Sequence, residues 1–362
     1  MTERPAYLTV SSDMREQLQE RPRSVAGSLS PTPTPPGQAV GSSLDPLSDV
    51  LRAVRLNGAH FYYVEAGAPW SVFTVPAVEL VPRILPNAEH LISYHIIVSG
   101  SCWGGPFGAQ VQLNAGDVIV LPHGEAHLMS SAKDYVDRSG ASGTEASRFF
   151  STVQLGPNDS MRETRLVCGF LGCDARPFNP LLATLPHVIV IPGAAGGFLS
   201  QFPKQVVAET QAGRVGSETM LTRMAELMFI EVLRRYVETL PPQQAGWLGA
   251  LRDGVVGPAL SRLHEEPTRP WTLAELAKEI ASSRTVLVER FSQLVGVPPM
   301  LYLTRWRLQL AAEQLARGSA KVAAVGAQVG YESEAAFSRA FKRETGFSPA
   351  AWRRVRQLNY ST

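Results

Sequence analysis

Cysteine is scarce: Cys102, Cys168 and Cys173 are the only three in 362 residues. So few, in a chain of this length, exclude the disulfide framework of a small secreted domain. Long apolar runs are missing as well. No stretch approaches the roughly 18 apolar residues of a membrane helix, and the first residues hold no apolar segment of a secretion signal. A cytoplasmic protein without membrane contact is therefore expected. Charge of one sign is also lacking, since the net charge is only +2. That balance hides a division. Arg262 to Arg356 hold 15 Lys and Arg against 9 Asp and Glu, whereas residues 1–261 hold 19 against 23. An acidic part joined to a basic part predicts that the basic part meets a polyanion. Histidine is divided the opposite way, with six of seven before residue 190.

What is present changes character along the chain. Residues 1–43 end in "SLSPTPTPPGQAVGSS", a composition that buries too little surface to offset ordering and predicts a disordered lead-in. From 44 to about 195 come short β-rich runs: "HFYYVEA", "WSVFTV", "LISYHIIVSG", "AQVQL", "GDVIVLP", "RFFSTVQL", "RLVCGFL" and "HVIVI". Their spacing and turn residues suit a sandwich or barrel. "SSAKDYVDRSGASGTEAS" is a polar loop between two of them. The segment 196–243 turns helical, and "TMLTRMAELMFIEVLRRYVETL" is apolar on more than one side. It packs on its own barrel or on a second copy of the chain.

The last third contains a repeat. "LAELAKEIASSRTVLVERFSQLVGVPP" and "VAAVGAQVGYESEAAFSRAFKRETGFSP" share one outline. Ser283 and Ser333 stand fifty residues apart, as do Phe291 and Phe341, Gly296 and Gly346, and Pro299 and Pro349. Each copy is a short helix, a turn, and a second helix opened by a serine suited to the N-cap. That is a helix-turn-helix outline, whose second helix enters the major groove. Between the copies "PPMLYLTRWRLQLAAEQLARG" reads as one helix, with proline at its start and Gly318 past its end. About 18 residues span roughly 27 Å, a rod able to set two reading helices about one duplex turn apart.

On these residues 247–356 resemble the DNA-binding domain of the AraC/XylS family of bacterial transcription regulators, and "GYESEAAFSRAFKRETGFSPAAWRR" is close to its signature. The resemblance implies an all-α domain over 244–358 with two helix-turn-helix units, about 271–296 and 320–346. It implies base-facing positions at Thr285, Val288 and Glu289 in the first unit, and at Glu334, Ala335, Ser338 and Arg339 in the second. Glu289 departs from the family pattern, where arginine is commoner. Arg284, Arg290, Lys342 and Arg343 are the expected phosphate contacts, which position a protein without specifying sequence. Promoter DNA and RNA polymerase are the implied partners.

Upstream, "GDVIVLPHGEAH" and "YHIIVSGSCW" resemble the two motifs of cupin barrels. The expected fold class is therefore α+β multidomain: a cupin-like barrel over 44–195, a helical linker over 196–243 that is a possible homodimer contact, and the all-α reader. The positions of cupin metal ligands hold His95, Ile97, Cys102 and His127. Two imidazoles and a thiolate can hold zinc; alternatively they line a pocket for a small-molecule effector. A redox reading rests on Cys102, Cys168 and Cys173, since an imidazolium beside Cys102 lowers a thiol pKa. The expected function is a DNA-binding regulator and not an enzyme; the alternative is a cupin metalloenzyme with an accessory helical domain.

Overall fold

The period of two along β3 (His90–Ser99) organises the N-terminal half. Leu91 and Ile97 enter one apolar core while Ile92, Tyr94 and Ile96 enter another, because successive strand side chains point to opposite faces. Both faces are covered, which is why the strand reads as a nearly continuous apolar run. The structure, a computed structural model, describes residues 45–360 apart from residues 55, 137–148, 158–160, 175–177, 194–196 and 242–245. The expected lead-in over 1–43 and most of the polar loop over 130–147 lie outside the described residues.

In chain order the half comprises α1 (Pro46–Val54), β1 (Leu56–Ala66), β2 (Ser71–Thr74), α2 (Ala77–Ile84) and β3. Then follow β4 (Ser101–Gly105), β5 (Val111–Asn114), β6 (Val118–Leu121), β7 (His127–Ser130), β8 (Phe150–Leu155), β9 (Thr164–Cys173) and β10 (Ile189–Ile191). Among the described residues the strands form two sheets, ordered β10-β6-β3-β9-β1-β8 and β2-β7-β4-β5. The expected closed barrel is thus corrected to two separately hydrogen-bonded sheets. Their inner faces meet in one core, where Ile97, Ile119 and Leu166 of the first pack with Cys102, Leu113 and Met129 of the second.

The outer face of the six-stranded sheet is covered by α3 (Phe198–Ala212) and α4 (Ser217–Thr239). Leu221, Met224, Met228, Phe229 and Val232 of α4 share a core with Phe61, Ile96 and Val118. Of the two packings open to this helix, its apolar face takes its own sheet, although Met220 and Leu227 stay exposed.

The C-terminal half is helical: α5 (Trp247–Ala250), α6 (Val256–Glu265), α7 (Leu273–Glu279), α8 (Arg284–Val295), α9 (Pro299–Arg317), α10 (Val322–Gln328), α11 (Glu334–Thr345) and α12 (Pro349–Tyr360). The fifty-residue repeat is visible atom by atom. Ser283 accepts from the Val286 amide at 3.2 Å, and Ser333 accepts from that of Ala336 at 3.2 Å. Gly296 and Gly346 end the two helices in the left-handed region, at φ 83° and 78°, where a side chain would strain the backbone. Pro299 and Pro349 then open α9 and α12. Gly326 in α10 has a different purpose: a Cβ there would lie 3.1 Å from three atoms of Phe337, so glycine lets α10 and α11 approach closely.

Helix α9 divides its side chains between two cores. Tyr302, Leu303 and Trp306 join the large core that also holds the six-stranded sheet. Leu308, Ala311, Ala312 and Leu315 join a smaller one with Val325, Phe337, Phe341 and Trp352. Polar ties also cross between the halves. Buried Gln309 of α9 donates to the Ala53 carbonyl at 2.9 Å and accepts from the Phe178 amide at 3.1 Å. Arg356 of α12 pairs with Glu89 at 2.6 Å.

Candidate functional site

Capping decides where α8 and α11 begin, and so which side chains stand on their first turns. On α8, Thr285 and Glu289 are exposed and Val288 is half-buried, while Leu287 and Phe291 face the core. On α11, Glu334, Ala335 and Arg339 are exposed and Ser338 is half-buried, with Phe337 and Phe341 inside. Each set named from the sequence is therefore carried on the side of its helix away from the core. Sequence reasoning passed over Val286, which is 46% exposed beside Thr285. The available signal was an aliphatic residue with no place in the Leu287, Phe291, Leu294 core spacing.

Arg284, Lys342 and Arg343 are exposed, and none of the ion pairs found among the described residues engages them. Arg290 is different. Its Nε and a terminal nitrogen lie 2.7 and 2.6 Å from one oxygen of buried Asp253. The other Asp253 oxygen accepts from the Val255 and Val256 amides at 2.9 Å each. Arg290 therefore fastens α8 to the start of α6, and Asp253 holds two of its donors. Beyond the serines and glycines, Arg307 serves the same rigidity, donating to the carbonyls of Pro267 and Arg269.

Between the two sheets the histidines meet. His95 of β3 and His127 of β7 approach Nε2 to Nε2 at 2.8 Å, both buried. His127 Nδ1 lies 2.9 Å from the Glu125 carbonyl, which accepts only, so this nitrogen carries the proton. Neutral His127 then offers Nε2 as an acceptor, and His95 Nε2–H donates to it. His95 Nδ1 is left as a buried acceptor with no partner, and His60 Nε2 is also buried and unpartnered. Alternation in "HFYYVEA" could have placed His60 and Tyr62 on this inner face, and the sequence reading did not use it.

This geometry brings together the two imidazoles named for zinc, and in the hydrogen-bonded pair one Nε2 donates to the other. Among the described residues no group of three His, Cys, Asp or Glu is placed to hold a metal ion, so His95, Cys102 and His127 do not form a three-donor set. The three thiols named for the redox reading are free and buried. Burial pushes the Cys102 thiol up to about 12, and the Cys168 and Cys173 thiols also shift up on burial. Thiols that resist ionisation are poor nucleophiles.

Burial also holds His60, His90, His95, His127 and His264 below the ordinary histidine value, with the charge of His127 adding to the effect at His95. Below about 6.5 the unfolded chain then binds more protons than the folded one. Stability from these groups is complete above that pH and is lost as pH falls toward the depressed folded values. A melting temperature measured between about pH 8 and 5 should hold level at first and then fall. A profile level across the whole range would show that these imidazoles are not kept neutral by the fold.

The comparisons with known proteins agree with this division of the chain. A cupin family model matches residues 45–238, and a helix-turn-helix domain model matches residues 276–355. A protein of Streptomyces lividans described as an AraC-like transcription regulator is 31% identical over 319 residues, covering 86% of this chain and 98% of its own. A counterpart from Streptomyces antibioticus is 32% identical over 319 residues, covering 86% and 99%. The HTH-type transcriptional regulator AlkR of Acinetobacter baylyi is 27% identical over 318 residues, covering 86% and 99%. A sheet-built half joined to a helical half with a helix-turn-helix defines a DNA-binding transcription regulator. The chain belongs to the AraC-like family of these regulators, with an N-terminal cupin domain. The cupin match extends through α3 and α4, the helices that cover the sheet. No helix among the described residues is long and apolar enough to cross a membrane.

Proposed function

We propose that α7–α8 and α10–α11 are two helix-turn-helix units that place α8 and α11 in successive major grooves of one promoter. The observation carrying this reading is the repeat: serine cap, buried aromatic, left-handed glycine and opening proline recur at a spacing of fifty residues. The 19 residues of α9 make a rod of about 28 Å, comparable with one duplex turn. Thr285, Val288 and Glu289 read bases in the first groove, with Val286 beside them as an apolar contact for a thymine methyl. Glu334, Ala335, Ser338 and Arg339 read the second. Arg284, Lys342 and Arg343 touch phosphate.

The cupin half, 44–195 with its helical cover over 196–243, takes a small organic effector between the sheets. Its polar determinant there is a hydrogen-bond donor directed to His95 Nδ1, the acceptor left open by the His95–His127 pair. RNA polymerase and a second copy of the chain are its further partners. The metalloenzyme alternative has no comparable support, because the relatives are described as transcription regulators.

Footprinting on genomic DNA defines the operator, and Arg339→Ala tests the reading. A bidentate arginine–guanine contact discriminates by about 1–3 kcal/mol. Affinity for the operator should therefore fall 5- to 150-fold (about 1–3 kcal/mol), with preference relaxed at one base pair only. Unchanged affinity across operator variants removes Arg339 from the interface.

A further inference from the structure

A cavity lies outside the space between the sheets. It has a volume of about 620 Å³ and opens between α2, the start of β3 and the turn from β6 to β7. That size suits a small organic molecule. Val78, Val81 and Pro82 of α2 supply an apolar wall, and Glu89, His90, His123 and Glu125 supply the polar groups.

Those polar groups have one chemical sense. His90 Nε2 donates to the Pro122 carbonyl at 2.6 Å, and His123 Nε2 donates to the Leu185 carbonyl at 2.9 Å. Each ring, in its neutral form, has its proton committed there and keeps Nδ1 as an acceptor. Glu125 gives Oε1 to His187, while its Oε2 is buried with no hydrogen-bond partner. Glu89 is a second carboxylate, and no Lys or Arg lines the cavity. The lining is rich in acceptors, and among them Glu125 Oε2 is buried without a donor, which is costly.

Glu89 also connects this cavity to the reader. Its Oε1 is 2.6 Å from Arg356 of α12, whose guanidinium lies 3.7 Å from Asp174 and 4.5 Å from the centre of the Trp352 ring. We propose that this cavity binds an apolar molecule bearing a protonated amine, which takes Glu125 Oε2, draws on Glu89 and loosens the hold on α12. The ammonium group matches the acceptors with three donors and one positive charge, and the apolar body covers α2. The consequence for DNA rests on the reading of the helical half given above; the binding itself does not.

The test uses the full chain and three probes with one tail: octylamine, octanol and octanoate, compared by calorimetry near neutral pH. Octylamine should bind at least tenfold more tightly than either of the others. Glu125→Gln should weaken octylamine at least tenfold while leaving DNA affinity of the unliganded protein unchanged. Val78→Trp, which narrows the cavity from an exposed position and spares every acceptor, should weaken it as well. Octylamine should also shift operator affinity of the parent protein at least threefold and leave that of Glu125→Gln unmoved. Equal binding of octanoate, or octylamine binding indifferent to both substitutions, overturns the site. Octylamine binding without a change in operator affinity overturns the connection to α12. Failure of the unliganded chain to bind any DNA would instead sink the reader assignment, with amine binding untouched.

Discussion

Replacing Phe337 by alanine should cost about 3–5 kcal/mol, the range for emptying a phenylalanine site in a packed core. Phe337 is fully buried, with its ring centre 5.4 Å from that of Tyr331 and 5.5 Å from that of Phe341. Gly326 comes close enough that even a methyl group would crowd the ring. The small core around it contains only residues from α9 onward. Most of the loss should therefore appear as early local unfolding of α10–α12, with the sheet core retained. Urea denaturation followed by tryptophan fluorescence should separate an early transition, and operator affinity should collapse with it. A single transition displaced by under about 1 kcal/mol would show that this core is less closely packed than described.

Arg356→Ala should have an effect of the same order. Arg356 is 6% exposed and faces Glu89 and Asp174, both from the cupin half. Removing one partner of a buried ion pair leaves charge without compensation, at about 3–5 kcal/mol. The double substitution Arg356→Met with Glu89→Gln removes both charges and should recover much of the loss. A double-mutant cycle measured by denaturation gives the coupling directly; additive effects would mean that the pair does not couple. The contrast is Arg52 with Asp49 at 2.7 Å, where the arginine is 67% exposed. Solvent and salt screen that pair, and its loss should be worth under about 1 kcal/mol.

Much of the chain was legible in advance. All eight β-rich runs read from the sequence contain strands, because alternation and turn residues act locally. β4 and β7 were passed over. β4 lies in the Gly-rich run "SCWGG", with little alternation to detect, and β7 follows directly on the turn at Gly124. Helix α1 was missed despite a usable signal: Asp45 accepts from the Leu47 amide at 3.1 Å and from Ser48 Oγ at 2.8 Å, in the pattern of an N-cap followed by proline. Helix α2 contains Pro82, which discourages a helical reading.

The candidate sites divide in the same manner. Helices α8 and α11 could be located from serine, glycine and proline alone, since caps and left-handed turns are made by hydrogen bonds between residues three or four apart. That Arg290 is occupied could not, because Asp253 lies 37 residues away. The cupin histidines were recognised by spacing, but metal ligation and mutual hydrogen bonding call for the same residues. Only the direction of a lone pair separates those outcomes.

By itself, then, the order of residues determined the fifty-residue helical repeat, the division into a sheet half and a helical half, and the faces each element buries. The meeting of His95 with His127, the capture of Arg290 and the burial of Arg356 against Glu89 were decided only in three dimensions. The physical reason is range: capping and periodicity act within a turn or a strand, whereas desolvation and the pairing of charges depend on whatever distant segment the fold brings alongside.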